Sequence, residues 1–264
     1  MRLSVSVDGL KISDPSIFPT PEKFEDAMGL IKSFVVEVKK TSHISQCIAG
    51  VPGVVTKSRD SLYFAPNLPD WQGKPLRDML SEVSGAKVFL ENDAALSGLG
   101  EAVYGAGSDF NIVTYLTIST GVGGARIVDK KIDRRVWGFE PGHQIVDMDD
   151  SKEEKLIELE DLVSGSGIRS RYGKKPEEII DEKIWEEITK FLAIGIYNTE
   201  LHWSSEVVVL GGGLIASDKI TVGRLESYVS AINKSFPEFP KIKKATLGDY
   251  SGLYGALTYV NRAR

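Results

Sequence analysis

Apolar residues recur every three or four positions at Phe24, Met28, Ile31, Val35 and Val38, the spacing of one helical face. A Thr20-Pro21 pair precedes them, and such a pair favours a helix start. Ahead of that helix, "RLSVSVDGLKISD" alternates apolar and polar residues about Asp8-Gly9, which predicts a β-hairpin. "SQCIAGVPGVV" predicts a short buried strand running into a Gly-Pro loop, and "PLRDMLSEVSGAKVFLEND" a helix, a glycine stop and a second strand. Farther along, "NIVTYLTISTGVGGARIVDKKIDRRVWG" predicts a strand, a glycine turn and a hairpin. "DEKIWEEITKFLAIGIYNTELHW" predicts a long helix with Ile184, Ile188, Phe191, Leu192 and Gly195 inward. The apolar strand "VVVL" and the turn "GGGLIAS" come next, and "GLYGALTYVNRA" predicts a small-residue helix. Alternating helices and strands define an α/β chain. Each half holds a strand followed by a glycine turn, the arrangement that suits a nucleotide lying between two lobes. The expected lobes are 1–108, completed by a helix over 249–264, and 109–248.

Composition narrows the function. The chain has 264 residues, 42% hydrophobic and 26% charged, and a net charge of −5. These values describe a globular protein with no electrostatic pull toward nucleic acid. The lone Cys47 excludes an internal disulfide and a cysteine-rich zinc site, and it reads as a small buried apolar residue. No apolar run approaches the roughly 18 residues a membrane span needs, and the N-terminus lacks a secretory h-region. A cytoplasmic location is expected, with no membrane or nucleic-acid partner.

Several stretches combine chemistry with a plainer explanation. Asn92 and Asp93 in "VFLENDAALSG" sit where a strand hands over to a helix; both types are favoured helix caps. Thr120, Gly121, Gly123 and Gly124 let backbone amides and a hydroxyl approach an anion. They serve equally as a tight hairpin turn. The dinucleotide fingerprint and the Walker loop are both absent, since a hairpin comes after the glycines and no Gly-Lys-Ser/Thr does. Gly211, Gly212 and Gly213 offer bare backbone to a flat ligand such as a purine, or close helix–sheet packing. Glu140 and His143 in "WGFEPGHQ" can face a polyhydroxylated ligand; a lone histidine is also a common structural residue. Glu160 in "ELEDLVSGSGI" reads by itself as a solvated helix carboxylate.

The order of these segments resembles the ROK (repressor, open reading frame, kinase) family of sugar kinases, within the two-lobed, ribonuclease H-like actin-like ATPase fold with its cleft between the lobes. "GVPGVV", "APNLPDW", "ENDAALSGLGEAVYGAG", "TISTGVGG", "EPGH", "ELEDLVSG", "VVVLGGG" and "LGDYSGLYGAL" carry the resemblance, collinear over nearly the whole chain. It implies ATP- and Mg²⁺-dependent phosphorylation of a hexose or N-acetylhexosamine. Asp93 would be the general base, and Asn92, Asn67, Glu140, His143, Glu160 and the Gly53 backbone would hold the sugar. Thr120, Gly121, Gly123 and Gly124 would cradle phosphates, and Gly211 to Gly213 would contact adenosine. A helix N-terminus would favour the ionised form of Asp93. The partners implied are a sugar, ATP and, as is common among members, a second copy in a homodimer.

Two departures accompany the resemblance. Many members hold zinc through one histidine and three cysteines after the sugar motif. The matching interval "QIVDMDDSKEEKLIEL" has no cysteine, so no zinc is expected. Members also open with a strand and an Asp-x-Gly-Gly-Thr-Lys loop. Here "RLSVSVDGLKISDPSIFPTPE" lines up with the second strand, hairpin and third strand that come after that loop in the family. The first N-terminal strand is therefore expected to be missing, through a start assigned at an internal Met or through loss of an element needed for ATP use. Competing readings are a sugar-binding protein without catalysis and an actin-like chaperone or filament ATPase. The second has no use for the Glu140, His143 and Glu160 set. Because family repressors carry a helix-turn-helix ahead of the kinase-like part and no such segment is read here, DNA binding is not expected.

Overall fold

A computed structural model describes residues 1–149 and 155–262. They fall into two compact units, Met1–Gly100 with Arg134–Gly138 and Tyr250–Arg264, and Glu101–Asp133 with Phe139–Asp249. Among the described residues no helix is long and apolar enough to cross a membrane.

In the first unit, β1 (Arg2–Leu3) pairs antiparallel with β2 (Ser16–Ile17). The hairpin expected about Asp8-Gly9 is thus reduced to two paired residues on each side. The reason is local: the Asp8 carboxylate accepts from the Leu10 and Lys11 amides, drawing the backbone into an Asx-type turn in place of a ladder. Helix α1 (Phe24–Lys39) buries Phe24, Met28 and Val35 of the expected face, together with Ala27, and leaves Ile31 and Val38 half-buried. Strands β3 (Gln46–Val51) and β6 (Lys87–Asn92) pair in parallel over their full length. Between them lie β4 (Val54–Val55), β5 (Leu62–Phe64) and α2 (Leu76–Ser84). Gly85 caps α2 with a left-handed φ of 68°, the glycine stop that the sequence marks. Phe24, Leu62, Leu76, Leu90 and Trp71 form the core, with Cys47 packed at its edge, half-buried. Burial pushes the Cys47 thiol up to about 11, so it is an inert packing group.

Helix α3 (Asp93–Tyr104) continues directly from β6. The last described helix, α9 (Ser251–Arg262), meets α3 backbone to backbone. A Cβ on Gly255 would lie 1.7 Å from the Leu96 carbonyl oxygen, and one on Gly100 would lie 2.1 Å from that of Ser251. Only glycine permits such an approach.

The second unit is built on a five-stranded sheet, ordered β13-β12-β7-β8-β9. Its strands are β7 (Ile112–Ile118), β8 (Val122–Val128), β9 (Lys131–Ile132), β12 (Val207–Gly211) and β13 (Lys241–Lys244). β7, β12 and β13 run parallel, and β8 is antiparallel to both of its neighbours, β7 and β9. Separately, β10 (Ile145–Asp149) pairs antiparallel with β11 (Lys155–Glu158). Helices α4 (Leu159–Val163), α5 (Gly165–Tyr172), α6 (Glu182–Trp203), α7 (Gly213–Ala216) and α8 (Val222–Ile232) complete the unit. α6 buries Ile188, Leu192 and Gly195 but leaves Ile184 and Phe191 half-buried. Their burial continues in Trp185, Ile196 and Val208, which lie in the same core.

Candidate functional site

In the first unit the polar residues gather where β6 becomes α3. Asn92 is the cap: its Oδ1 accepts from the Ala95 amide at 2.9 Å, satisfying a first-turn donor. Its Nδ2 donates to the Gly53 carbonyl at 3.1 Å, so one side chain fixes both the helix start and the Gly50-Val51-Pro52-Gly53 loop. Gly53 has a φ of 77°, and a Cβ there would strike the Phe64 carbonyl oxygen at 2.1 Å. Asn67 is exposed in the turn closed by the Leu68 amide on Ala65, whose Cα lies 3.1 Å from that same Cβ position. Gly53, Asn92 and Asp93 are therefore brought together, and Asn67 stands two residues along the chain from the Ala65 that Gly53 approaches.

Asp93 is the first helical residue, and its Oδ1 accepts from the Ala94 amide at 2.8 Å. Its side chain opens to solvent, yet most of what surrounds the carboxyl is protein. That desolvation raises its pKa above the ordinary carboxylate value, against the downward pull of the Ala94 amide and its own. The expectation that the helix start would keep the ionised form favoured is thus outweighed by desolvation. A raised pKa suits a proton acceptor better, since a base works best when its pKa approaches the working pH.

Behind this pair lies Glu91, which sequence reading passes over. It is 2% exposed, and its Oε2 lies 2.7 Å from Arg59 Nη1 while Oε1 pairs with Arg135 and accepts from the Asn92 amide.

The second unit holds the remaining candidates. Glu140 precedes a 3-10 turn over Pro141–His143. The His143 Nδ1 lies 2.6 Å from Glu158 Oε2, a partner that the sequence motif does not mark. Partial burial pulls the His143 pKa down. The Glu158 hydrogen bond and the charges of Glu158, Glu160 and Glu140 outweigh it, and the net shift is upward. Glu160 is no solvated helix carboxylate: half-buried, it accepts from the Val122 amide and stands 2.5 Å from where a Gly121 Cβ would project. Gly121 is thus the residue that lets the glycine turn and the acidic helix touch.

The glycine clusters sort by what surrounds them. Gly123 and Gly124 lie inside β8, opposite Thr117 and Leu116. A Gly124 Cβ would meet the Tyr115 carbonyl oxygen at 2.6 Å, so its bareness serves packing. Gly211 is pressed against the Tyr115 hydroxyl, and Gly212, at φ 91°, against the Ile118 carbonyl. Gly213 looks onto open space, with nothing within 4 Å of its Cβ position. Thr120 is exposed at the turn. Its carbonyl accepts from the Ser166 amide and hydroxyl, which leaves the Thr120 side chain outside that network. Both turns stand at the carboxyl ends of neighbouring parallel strands, β7 and β12, the edge of an open α/β sheet where ligands bind.

The ROK family matches residues 6–263. The chain belongs to the ROK family. Glucokinase from Thermotoga maritima is 27% identical over 276 residues, covering 89% of this chain and 85% of its own. An uncharacterised Clostridium perfringens protein is 31% identical over 243 residues, covering 86% and 81%. Among solved structures, the ROK hexokinase from Thermus thermophilus is 26% identical with a TM-score of 0.78, covering 97% of this chain and 93% of that one. The fold is accordingly the actin-like ATPase fold of the ROK sugar kinases.

Among the described residues no group of three or more His, Cys, Asp or Glu is placed to hold a metal ion. Residues 150–154, part of the interval in which family members carry zinc cysteines, lie outside the described residues.

Proposed function

We propose that this ROK protein is an ATP-dependent sugar kinase acting on a hexose or N-acetylhexosamine, with Asp93 as general base. The observation that carries the reading is the Asp93 carboxyl, solvent-open, raised in pKa and set beside an Asn92 whose side chain is already committed to orientation. The kinship with a glucokinase supports it.

Phosphoryl transfer to an alcohol asks a protein for alignment, charge neutralisation and a carboxylate that accepts the hydroxyl proton. The Asp93 carboxylate takes that proton from the attacking hydroxyl. Asn67 and the Gly53 loop are the first unit's candidate sugar-binding groups; Glu140, His143 and Glu160 are the second unit's. Because the His143 pKa is raised, its ring is a donor over a wider pH range, beside carboxylates that accept: the mixed set that sugar hydroxyls require. Thr120 and Gly121 are the candidates for phosphate contact, and the open backbone at Gly213 fits an adenine face. Gly124, Gly211 and Gly212 support that surface from behind. Mg²⁺, held mainly by phosphate oxygens and water, would neutralise charge on the transferring group.

The test is sugar-dependent ADP release over a panel of glucose, mannose, N-acetylglucosamine and N-acetylmannosamine, with Asp93→Asn alongside. Release by the wild-type protein that falls about 10²- to 10⁴-fold in Asp93→Asn is expected. Retained release in the variant would remove Asp93 from its role. Calorimetric sugar binding with no ADP release would instead favour a sugar-binding protein without catalysis.

A further inference from the structure

Glu91 is a buried carboxylate one residue before the Asn92-Asp93 pair, and the proposed proton transfer makes no use of it. A buried carboxylate is costly unless it is paired and hydrogen-bonded. Here both oxygens are engaged. Oε2 meets Arg59 at 2.7 Å, and Oε1 meets Arg135 and the Asn92 amide, the latter at 2.8 Å. The side chains of Glu91 and Arg135 keep only 3% and 11% of their accessible surface. Arg59 also donates to the Leu90 carbonyl at 3.3 Å, and it reaches this position from a backbone φ of 50°. A non-glycine residue in that conformation is strained and persists where its surroundings enforce it.

The source of Arg135 matters. It belongs to the short stretch Arg134–Gly138, which the chain lends to the first unit between two passes through the second. That stretch is anchored twice. Trp137 lies against Tyr63 at 5.7 Å between ring centroids, with Lys57 Nζ 4.9 Å from the indole, and Arg135 enters the Glu91 pair.

We infer that Glu91, clamped by Arg59 and Arg135, is a positioning residue that sets the peptide plane at Asn92 and so the aim of Asp93, with the Arg134–Gly138 stretch as the strap that closes the clamp. The inference rests on the kinase reading for its catalytic consequence, but not for its structural one. Fixing the Asn92 amide fixes the Asn92 side chain, which holds both Gly53 and the α3 start. An Asp93 carboxyl displaced by a fraction of an ångström loses its line to the attacking hydroxyl. Misplacements near 1 Å cost about 10²-fold in rate.

The experiment compares the intact wild-type protein with Arg135→Gln, Arg135→Lys and Glu91→Gln, using hydrogen exchange and steady-state kinetics. In Arg135→Gln and Glu91→Gln the Asn92, Ala94 and Ala95 amides are expected to exchange at least about 10-fold faster, while the far half of α3 is unchanged. kcat is expected to fall about 10- to 100-fold with sugar KM within about two-fold. Arg135→Lys keeps charge but not the planar fork, and it is expected to recover part of both. Unchanged exchange at Asn92 to Ala95 would overturn the clamp. So would accelerated exchange spread evenly over the first unit, which marks a merely structural pair. Local acceleration in a protein whose wild type turns over no sugar would uphold the clamp and sink the kinase reading.

Discussion

Asn92 and Gly212 hold matching places in the two units. Each stands at the carboxyl end of a parallel strand, β6 or β12, immediately before a helix. At Asn92 the turn is made by side chains: Oδ1 caps the helix, Nδ2 holds a loop and a buried carboxylate grips the amide. At Gly212 the turn is made by the lack of one. No side chain caps α7, and the backbone adopts φ 91° and ψ 162° against the Ile118 carbonyl. The first solution keeps directed polar groups in fixed register, as proton transfer and hydroxyl recognition need. The second clears a surface, as a flat or phosphate-bearing ligand needs, and leaves only Gly213 open to it.

The sharpest break in this comparison is Asp93→Asn, which removes the proposed base and leaves the architecture. Beside the loss of turnover, its stability should move the other way. A raised folded-state pKa means that ionising Asp93 opposes folding. That cost is fully present above the folded-state pKa and vanishes below the ordinary value of 3.8. Asp93→Asn is therefore expected to melt at or above the wild-type temperature at pH 7, with the difference closing as pH falls toward 3.8. A lower melting temperature at pH 7 would show that the carboxylate is a structural cap. Wild-type kcat/KM should likewise lose its base at a higher pH than an ordinary carboxylate would allow, seen as an acid limb that Asp93→Asn lacks.

Next in size is Gly212→Ala. Its φ and ψ are nearly closed to other residues, and its Cβ would sit 2.3 Å from the Ile118 carbonyl oxygen. Denaturant unfolding should show a loss of roughly 2–5 kcal/mol. A loss under about 1 kcal/mol would mean that the turn relaxes freely.

A smaller effect is expected from Glu158→Gln, which removes the largest upward influence on His143. A histidine pKa raised by folding adds stability that is present below its ordinary value of 6.5 and fades as pH rises through the folded-state value. The wild type should exceed the variant in melting temperature at pH 5.5, with the gap narrowing by pH 8.5. A gap independent of pH would assign Glu158 to packing alone. Gly213→Ala should do least to the fold, within about 0.5 kcal/mol, while raising the ATP KM several-fold. An unchanged ATP KM would remove Gly213 from the nucleotide surface.

Much of the fold is legible in the sequence because it is written in local periodicity. α1 and α6 declare themselves by apolar spacing, and Gly85 by its place after a helix. Gly211, Gly212 and Gly213 look alike in a sequence; what separates them is Tyr115 and Ile118 on a distant strand. Glu158 and Arg135 go unmarked for a related reason. Each acquires its meaning from a partner, His143 or Glu91, that only the fold brings near. The hairpin about Asp8 misleads because alternation says nothing of a side chain able to take the amides that the ladder needs.

The glycine contact between α3 and α9 has a consequence for biosynthesis. Leu96 and Gly100 are covered by residues that leave the ribosome only after the whole of the second unit has been made. The second unit can mature while the first still waits with an open apolar seam, the condition in which nascent chains aggregate or engage chaperones. Any side chain larger than hydrogen at Gly255 would jam that closing step. Such a lesion would appear as lost yield of soluble protein rather than as slow turnover in the molecules that survive.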